Sequence, residues 1–155
     1  MKINGKKITE IDILSERFTF GQRLEFNRLS ELTYDHQIIE AVIYVLYEIK
    51  VKPEYYVSVY GHVKDVLTKL NIWNEKEKAL QYEPTPEEIR AGINQISDKL
   101  KEFATVDAIA KRMHISHDDS LKLPYSTVYM MLLADFEHSK FERRLSKIYE
   151  NKYKI

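Results

Sequence analysis

Glu83–Met113 reads EPTPEEIRAGINQISDKLKEFATVDAIAKRM, and the parsing of this stretch decides the fold. Pro84-Thr85-Pro86-Glu87-Glu88 is a strong helix start. The Thr85 hydroxyl can accept from a free N–H of the first turn. Pro86 stands where its missing N–H costs nothing, and Glu87 and Glu88 complement the positive pole of the helix dipole. Ile89, Ile93, Ile96, Leu100 and Phe103 then recur at helical spacing with charge between them. A second helix start is expected at Thr105, with Asp107 in its first turn and Ile109 and Met113 on one face. A new helical unit therefore begins near Glu83, and the preceding structure ends before it.

Upstream, Gln81-Tyr82-Glu83-Pro84 is the expected linker. Before it, a third helix is expected over Pro53–Leu70, with Tyr56, Val57, Tyr60, Val63, Val66, Leu67 and Leu70 along one side. Ile72-Trp73 and Asn74–Lys78 are expected to form a separate short turn or helix. Val51-Lys52-Pro53 ends the second helix, Tyr34–Lys50, because the residue before proline leaves the α region. That helix carries Ile38, Ile39, Val42, Ile43, Val45, Leu46 and Ile49 nearly all round, which places it at the centre of the core. A first helix is expected over Thr19–Leu32, capped by Thr19, with Phe20, Leu24, Phe26 or Asn27, and Leu29 inside and Arg23 outside. Gly21 weakens its first turn. Met1–Ile13 holds Asn4-Gly5, a hairpin signal flanked by Ile3 and Ile8, with alternation continuing through Ile11 and Ile13.

Downstream, Ser116–Lys122 reads as a polar loop. From Leu123-Pro124-Tyr125-Ser126 onward, Val128, Tyr129, Leu132, Leu133, Phe136, Phe141, Leu145 and Ile148 describe one long helix, or two broken near Ser139. Lys140, Arg143, Arg144, Lys147, Lys152 and Lys154 make its tail basic, with Glu137, Glu142 and Glu150 interleaved. Helix-surface pairing and the negative pole of the helix account for this tail as readily as an acidic partner does. The expected fold is mainly α: a bundle of about five to six helices with a small N-terminal β-hairpin. It is read as one domain over 1–155, with a hairpin at 1–13 and helical parts at 19–82 and 83–155.

Composition agrees. The 155 residues are 44% hydrophobic, enough for a core, and 31% charged with a formal net charge of zero. No global field therefore attracts nucleic acid or an anionic membrane. Only four Gly and four Pro fit a helical chain. Eleven Tyr against one Trp supply amphipathic aromatics for boundary layers or contact surfaces. No cysteine is present, so disulfide and thiolate chemistry are excluded. The apolar-rich run Ile38–Ile49 carries Glu40 and Glu48 and is shorter than the ~20 residues a bilayer span needs. No secretory signal is read at the N-terminus, and a soluble protein is expected.

Candidate chemistry is sparse. His114, His117, Asp118 and Asp119 are residue types that bind divalent ions, but no i, i+4 pair or second cluster accompanies them, and they read as solvated loop residues. His36 and His62 fall within helical patterns and read as boundary-layer histidines. No phosphate-cradling glycine motif or nucleophile elbow occurs. Neither catalytic residues nor a cofactor are expected. Thr105–Ser116 resembles the first helix and turn of a helix-turn-helix unit, and Ser126-Thr127-Val128-Tyr129 resembles the start of a reading helix. His117–Pro124 is interposed, however, and Met130–Glu137 offers no Arg, Lys or Gln to bases or phosphates.

The motif order does resemble a family. A small β unit is followed by Phe20-Gly21-Gln22-Arg23-Leu24, then Glu83–Ile89, then Glu102-Phe103-Ala104-Thr105-Val106-Asp107-Ala108-Ile109-Ala110. It closes with Leu123–Tyr129 and a charged helix containing Phe141-Glu142-Arg143-Arg144-Leu145. This order is similar to small proteins encoded among the tail genes of long-tailed bacteriophages and prophages of Bacteroides-type hosts, some of them tail assembly chaperones. Related sequences often carry Gly where Ala104 stands. The resemblance implies a non-enzymatic assembly protein that binds the tape-measure protein and keeps its apolar helices soluble. It implies action in the bacterial host cytoplasm. A connector or completion protein at the head–tail junction, retained in the virion, is an alternative within the resemblance; a helix-turn-helix DNA binder is the alternative outside it. Expected partners are other phage proteins or a second copy, rather than nucleic acid or membrane. Tyr125, Tyr129, Met130, Met131, Arg143 and Arg144 are the candidate contact residues, since Tyr and Met faces suit an amphipathic helix.

Overall fold

The computed structural model describes residues 1–152, with Ser97 described by its backbone alone. The fold is mainly α. Eight α-helices are described where five to six were expected, preceded by a two-stranded antiparallel hairpin. Strands β1 (Lys2–Ile3) and β2 (Lys6–Lys7) pair through Asn4 and Gly5, both with positive φ as a tight hairpin turn requires. The ladder ends there. Ile11 and Ile13 lie in irregular chain, where Ile13 is buried and its carbonyl accepts from the Trp73 indole N–H at 2.9 Å.

Helix α1 (Phe20–Asn27) starts at Thr19, which forms a capping box with Gln22. It continues as a 3₁₀ turn over Arg28–Glu31. Gly21 has a packing reason: a Cβ there would meet the Leu121 carbonyl oxygen at 3.2 Å. Helix α2 (Asp35–Tyr47) buries Ile39, Val42, Ile43 and Leu46. Helix α3 (Tyr56–Lys78) follows a 3₁₀ turn at Pro53–Tyr55 and buries Val59, Val63, Val66, Leu70 and Trp73. Three expectations fail here. No separate element begins at Ile72, because no Gly or Pro interrupts the chain between Gly61 and Pro84. Val57 is 90% exposed, and Tyr60 is exposed too. Arg23, expected outside, is 5% exposed.

The stretch that decides the fold is more broken than its periodicity suggests. Helix α4 (Pro86–Arg90) carries the expected Thr85 cap, with Glu88 completing a capping box. Gly92, at φ 89°, ends it. Helix α5 (Ile93–Leu100) ends at Lys101, at φ 43° and ψ −128°, for which the sequence carries no signal. Helix α6 (Glu102–Met113) begins three residues before the expected start at Thr105. Ser116–Lys122 is largely helical rather than a loop: Ser116 caps α7 (His117–Leu121) by accepting from the Asp119 N–H at 3.0 Å. Helix α8 (Tyr125–Lys152) is one continuous helix through Ser139, and Lys154 of the basic tail lies outside the described residues.

The two helical parts are joined backbone to backbone. The Phe20 N–H donates to the Leu123 carbonyl at 2.9 Å, and the Tyr125 N–H to the Phe18 carbonyl at 2.7 Å. The starts of α1 and α8 are thereby fixed side by side. One hydrophobic cluster runs from Ile3 and Ile13 through α1, α2 and α3 to Val106, Ile109, Tyr125 and Val128.

Candidate functional site

An open groove of about 420 Å³ lies between α1, the end of α3, α6 and α8. Phe20, Leu24, Leu80, Leu132 and Phe136 give it apolar walls. One wall is polar and fixed. Arg23 crosses from α1 to α3, with its Nε 2.7 Å from Glu77 Oε1 and its Nη2 2.6 Å from Glu77 Oε2. Its remaining donors reach Asn27 at 2.6 Å and Asn74 at 3.0 Å. A planar guanidinium suits such a bidentate clasp. The Tyr125 hydroxyl donates to the same Glu77 carboxylate. Burial, and then the Glu77 charge, push the Tyr125 hydroxyl well above the usual phenolic range. Asn27 donates onward to Glu102 at 2.7 Å, which brings α6 into the network. Every member has a partner, so the cluster works as a clasp joining four helices.

Helices α4, α5 and α6 each expose large apolar side chains to solvent. Ile89 is 49% exposed, Ile96 55%, Leu100 43% and Phe103 54%. A helix stripe of this kind is normally buried against the core. Here α5 packs substantially only on α4 and α6, its neighbours in sequence, among the described residues. The linker beside it is pinned to α8. The Arg143 guanidinium lies 4.0 Å over the Tyr82 ring, reaches the Glu83 carbonyl at 3.3 Å and stands 3.6 Å from Glu88. The Tyr82 hydroxyl donates to Glu88, which, with the Thr85 N–H, holds that carboxyl below its usual range.

The candidate contact residues separate. Tyr125 is buried in the core, edge-on to Trp73, and is not on the surface. Tyr129 is half-buried against Trp73, and Met131 packs on the core. Met130 is 60% exposed. Arg143 is engaged with the linker, and Arg144 is exposed. The structure does not bring these six into one patch. Glu77 and Leu80, which help form the groove, were not singled out in sequence, Leu132 was read only as part of a helix face, and Arg23 was placed on the wrong side. Arg23 and Glu77 are 54 positions apart, and no local pattern announces such a pair.

His114 and His117 do not converge. His114 ends α6 in the left-handed region at φ 54°. His117 Nε2 lies 3.1 Å from Asp107, which is held below its usual range by Lys111 and then by His117. Asp119 is occupied by Lys122 and Ser116. No group of three or more His, Asp or Glu is placed to hold a metal ion among the described residues. Helices α6 and α7 do meet across the short turn His114–Ser116, the local geometry of a helix-turn-helix. The second helix of that pair is α7, not α8. It has five residues and carries Asp118 and Asp119 in its first turn, which repel phosphate.

No helix among the described residues is long and apolar enough to cross a membrane. The chain matches no protein-family model, no curated protein and no solved structure.

Proposed function

We propose that this chain is a non-enzymatic assembly protein of a long-tailed phage or prophage, and within that class a tail assembly chaperone that holds apolar helices of the tape-measure protein. The observation that carries the reading is the exposure of Ile89, Ile96, Leu100 and Phe103 on α4–α6, of which α6 also lines an apolar-walled groove. Exposed apolar patches on a folded domain mark interaction sites. A groove next to an amphipathic surface suits the helix-in-groove mode of recognition, in which anchors spaced i, i+3 and i+4 enter from the partner. The resemblance in motif order is what suggests a tape-measure partner, and the groove is the surface offered for it in this reading. No catalytic step is assigned to the Arg23–Glu77–Tyr125 clasp, because each of its members is satisfied within the fold.

Coexpression with fragments of the tape-measure protein from the same gene cluster tests this. The expected result is a several-fold rise in soluble fragment and co-purification of the two chains. Both should be lost in an Ile96→Asp, Phe103→Asp variant that keeps its helical content. Fragments that remain insoluble, or this protein found stoichiometrically in purified particles, would replace the chaperone reading by that of a connector or completion protein. Salt-sensitive retention of duplex DNA would favour the helix-turn-helix reading instead.

A further inference from the structure

Helix α8 carries a second pattern, on the side turned away from the groove. Leu132, Phe136 and Ser139 line the groove. At about 100° per residue, Ala134, His138, Phe141, Leu145 and Ile148 fall on the opposite side of the same helix. Their spacing alternates between four and three residues, the period of a coiled-coil seam. Phe141 and Ile148 are each more than half exposed, Ala134 and His138 are exposed, and Leu145 is half-buried. Beyond Arg143, no hydrogen bond or ion pair ties α8 to another element among the described residues. The charges along α8 are sorted by end. Asp135, Glu137 and Glu142 outnumber Lys140 in its middle, and Arg143, Arg144, Lys147 and Lys152 outnumber Glu150 in its last part.

From the seam and this order of charge we infer that α8 pairs with α8 of a second copy, antiparallel, about a two-fold axis between His138 and Phe141. A parallel pairing sets like charge against like, with Glu137 facing Glu142 of the second copy; an antiparallel one sets the acidic part against the basic part. In the register that opposes Phe141 to His138 of the second copy, Leu145 lies opposite Ala134, a large residue against a small one. Glu137 then faces Arg144, twice by symmetry. A shift of one heptad in either direction would put Glu137 against Glu137 or Arg144 against Arg144, so charge selects the register. Glu137 is otherwise held only by Lys140, at 3.2 Å in an exposed pair, and Arg144 has no carboxylate within ion-pair distance among the described residues. The one like-charged meeting in this register, Asp135 with Glu142, joins groups already occupied by Arg112 at 2.7 Å and His138 at 3.1 Å. The pairing uses the face opposite the groove, so it is independent of the tape-measure reading.

Sedimentation equilibrium over a wide range of protein concentration reads the pairing. A reversible monomer–dimer equilibrium is expected. It should be abolished in a Phe141→Asp, Ile148→Asp variant, whose helical content by circular dichroism stays that of the parent because both sites face solvent. Glu137→Lys and Arg144→Glu should each weaken the dimer by at least about tenfold, since each creates like-charged contacts twice by symmetry. Mixing these two single variants should restore a dimer containing one chain of each, because every contact between positions 137 and 144 is then again between opposite charges. A protein that stays monomeric throughout, a dimer indifferent to the Phe141 and Ile148 changes, or single variants that do not complement each other would overturn the inference. Loss of the dimer in the Ile96→Asp, Phe103→Asp variant instead would overturn it by moving the contact to α4–α6. Adsorption of a monomer to anionic phospholipid vesicles through Phe141 and Ile148 would overturn it in favour of a membrane surface as the occupant.

Discussion

At the scale of single residues, the buried guanidinium of Arg23 carries the most consequence. It is a charge inside the fold whose only anionic partner among the described residues is Glu77. Removing one member of such a pair strands the other, which typically costs about 3–5 kcal/mol. Glu77→Gln should therefore lower the urea midpoint sharply, and the double variant Arg23→Met, Glu77→Leu should recover much of the loss. His62 is the titrating counterpart. Tyr47 accepts from the Ile11 N–H at 2.9 Å, and its hydroxyl is hydrogen-bonded to His62 Nε2 at 2.8 Å. Burial lowers the His62 pKa against the opposing pull of Glu10 and Asp65. With the folded pKa below the unfolded one, the stabilising contribution is complete above the ordinary histidine range and lost as pH falls through and below it. Urea titrations at pH 7 and pH 5 should show a loss of up to about 1.4 kcal/mol per pH unit, and His62→Gln should remove that slope.

At the scale of elements, caps were legible in sequence and breaks were not. Thr19 and Thr85 cap their helices as expected, and the structure adds capping boxes with Gln22 and Glu88. Thr19→Ala should cost about 1 kcal/mol by thermal denaturation, since Asn, Asp, Ser and Thr caps each hold one otherwise free N–H. The break at Gly92 had a residue to announce it, yet the regular spacing of Ile89, Ile93 and Ile96 hid it. Period reports a face, and a face can continue across a turn. Lys101 gave no warning, because lysine carries no preference for a positive φ. His114 ends α6 in the same left-handed region, where glycine is the common occupant. His114→Gly should raise stability by about 0.5–1 kcal/mol and leave the fold unchanged. The polar run after it hid α7, because a five-residue helix has too few positions to show a period.

At the scale of the whole molecule, the core was legible and the groove was not. The apolar positions of α2 identified a core helix, of which Ile39, Val42, Ile43 and Leu46 are buried while Tyr44 faces solvent. The groove depends on where α8 crosses α1, and that crossing is set by paired backbone bonds at Phe20 and Tyr125 rather than by side-chain identity. The exposed stripe of α4–α6 looked like core for the same reason: sequence gives the face and not the presence of something against it. Ile96→Ser should leave the stability within about 0.5 kcal/mol, as expected for an exposed position, while weakening any partner held there. Calorimetry of the variant beside a pull-down separates the two effects.

The protein has one indole, Trp73, sealed between the carbonyl of Ile13 and the rings of Tyr125 and Tyr129, with the Lys76 ammonium 4.6 Å from its ring centre. The chain thus contains a single optical reporter at the point where the N-terminal segment, α3 and α8 meet. Light emitted from it reports one event, the parting of those three elements. Its spectrum should shift to the red in step with the loss of helical ellipticity if the body comes apart as a unit, and ahead of it if the N-terminal segment lifts away first.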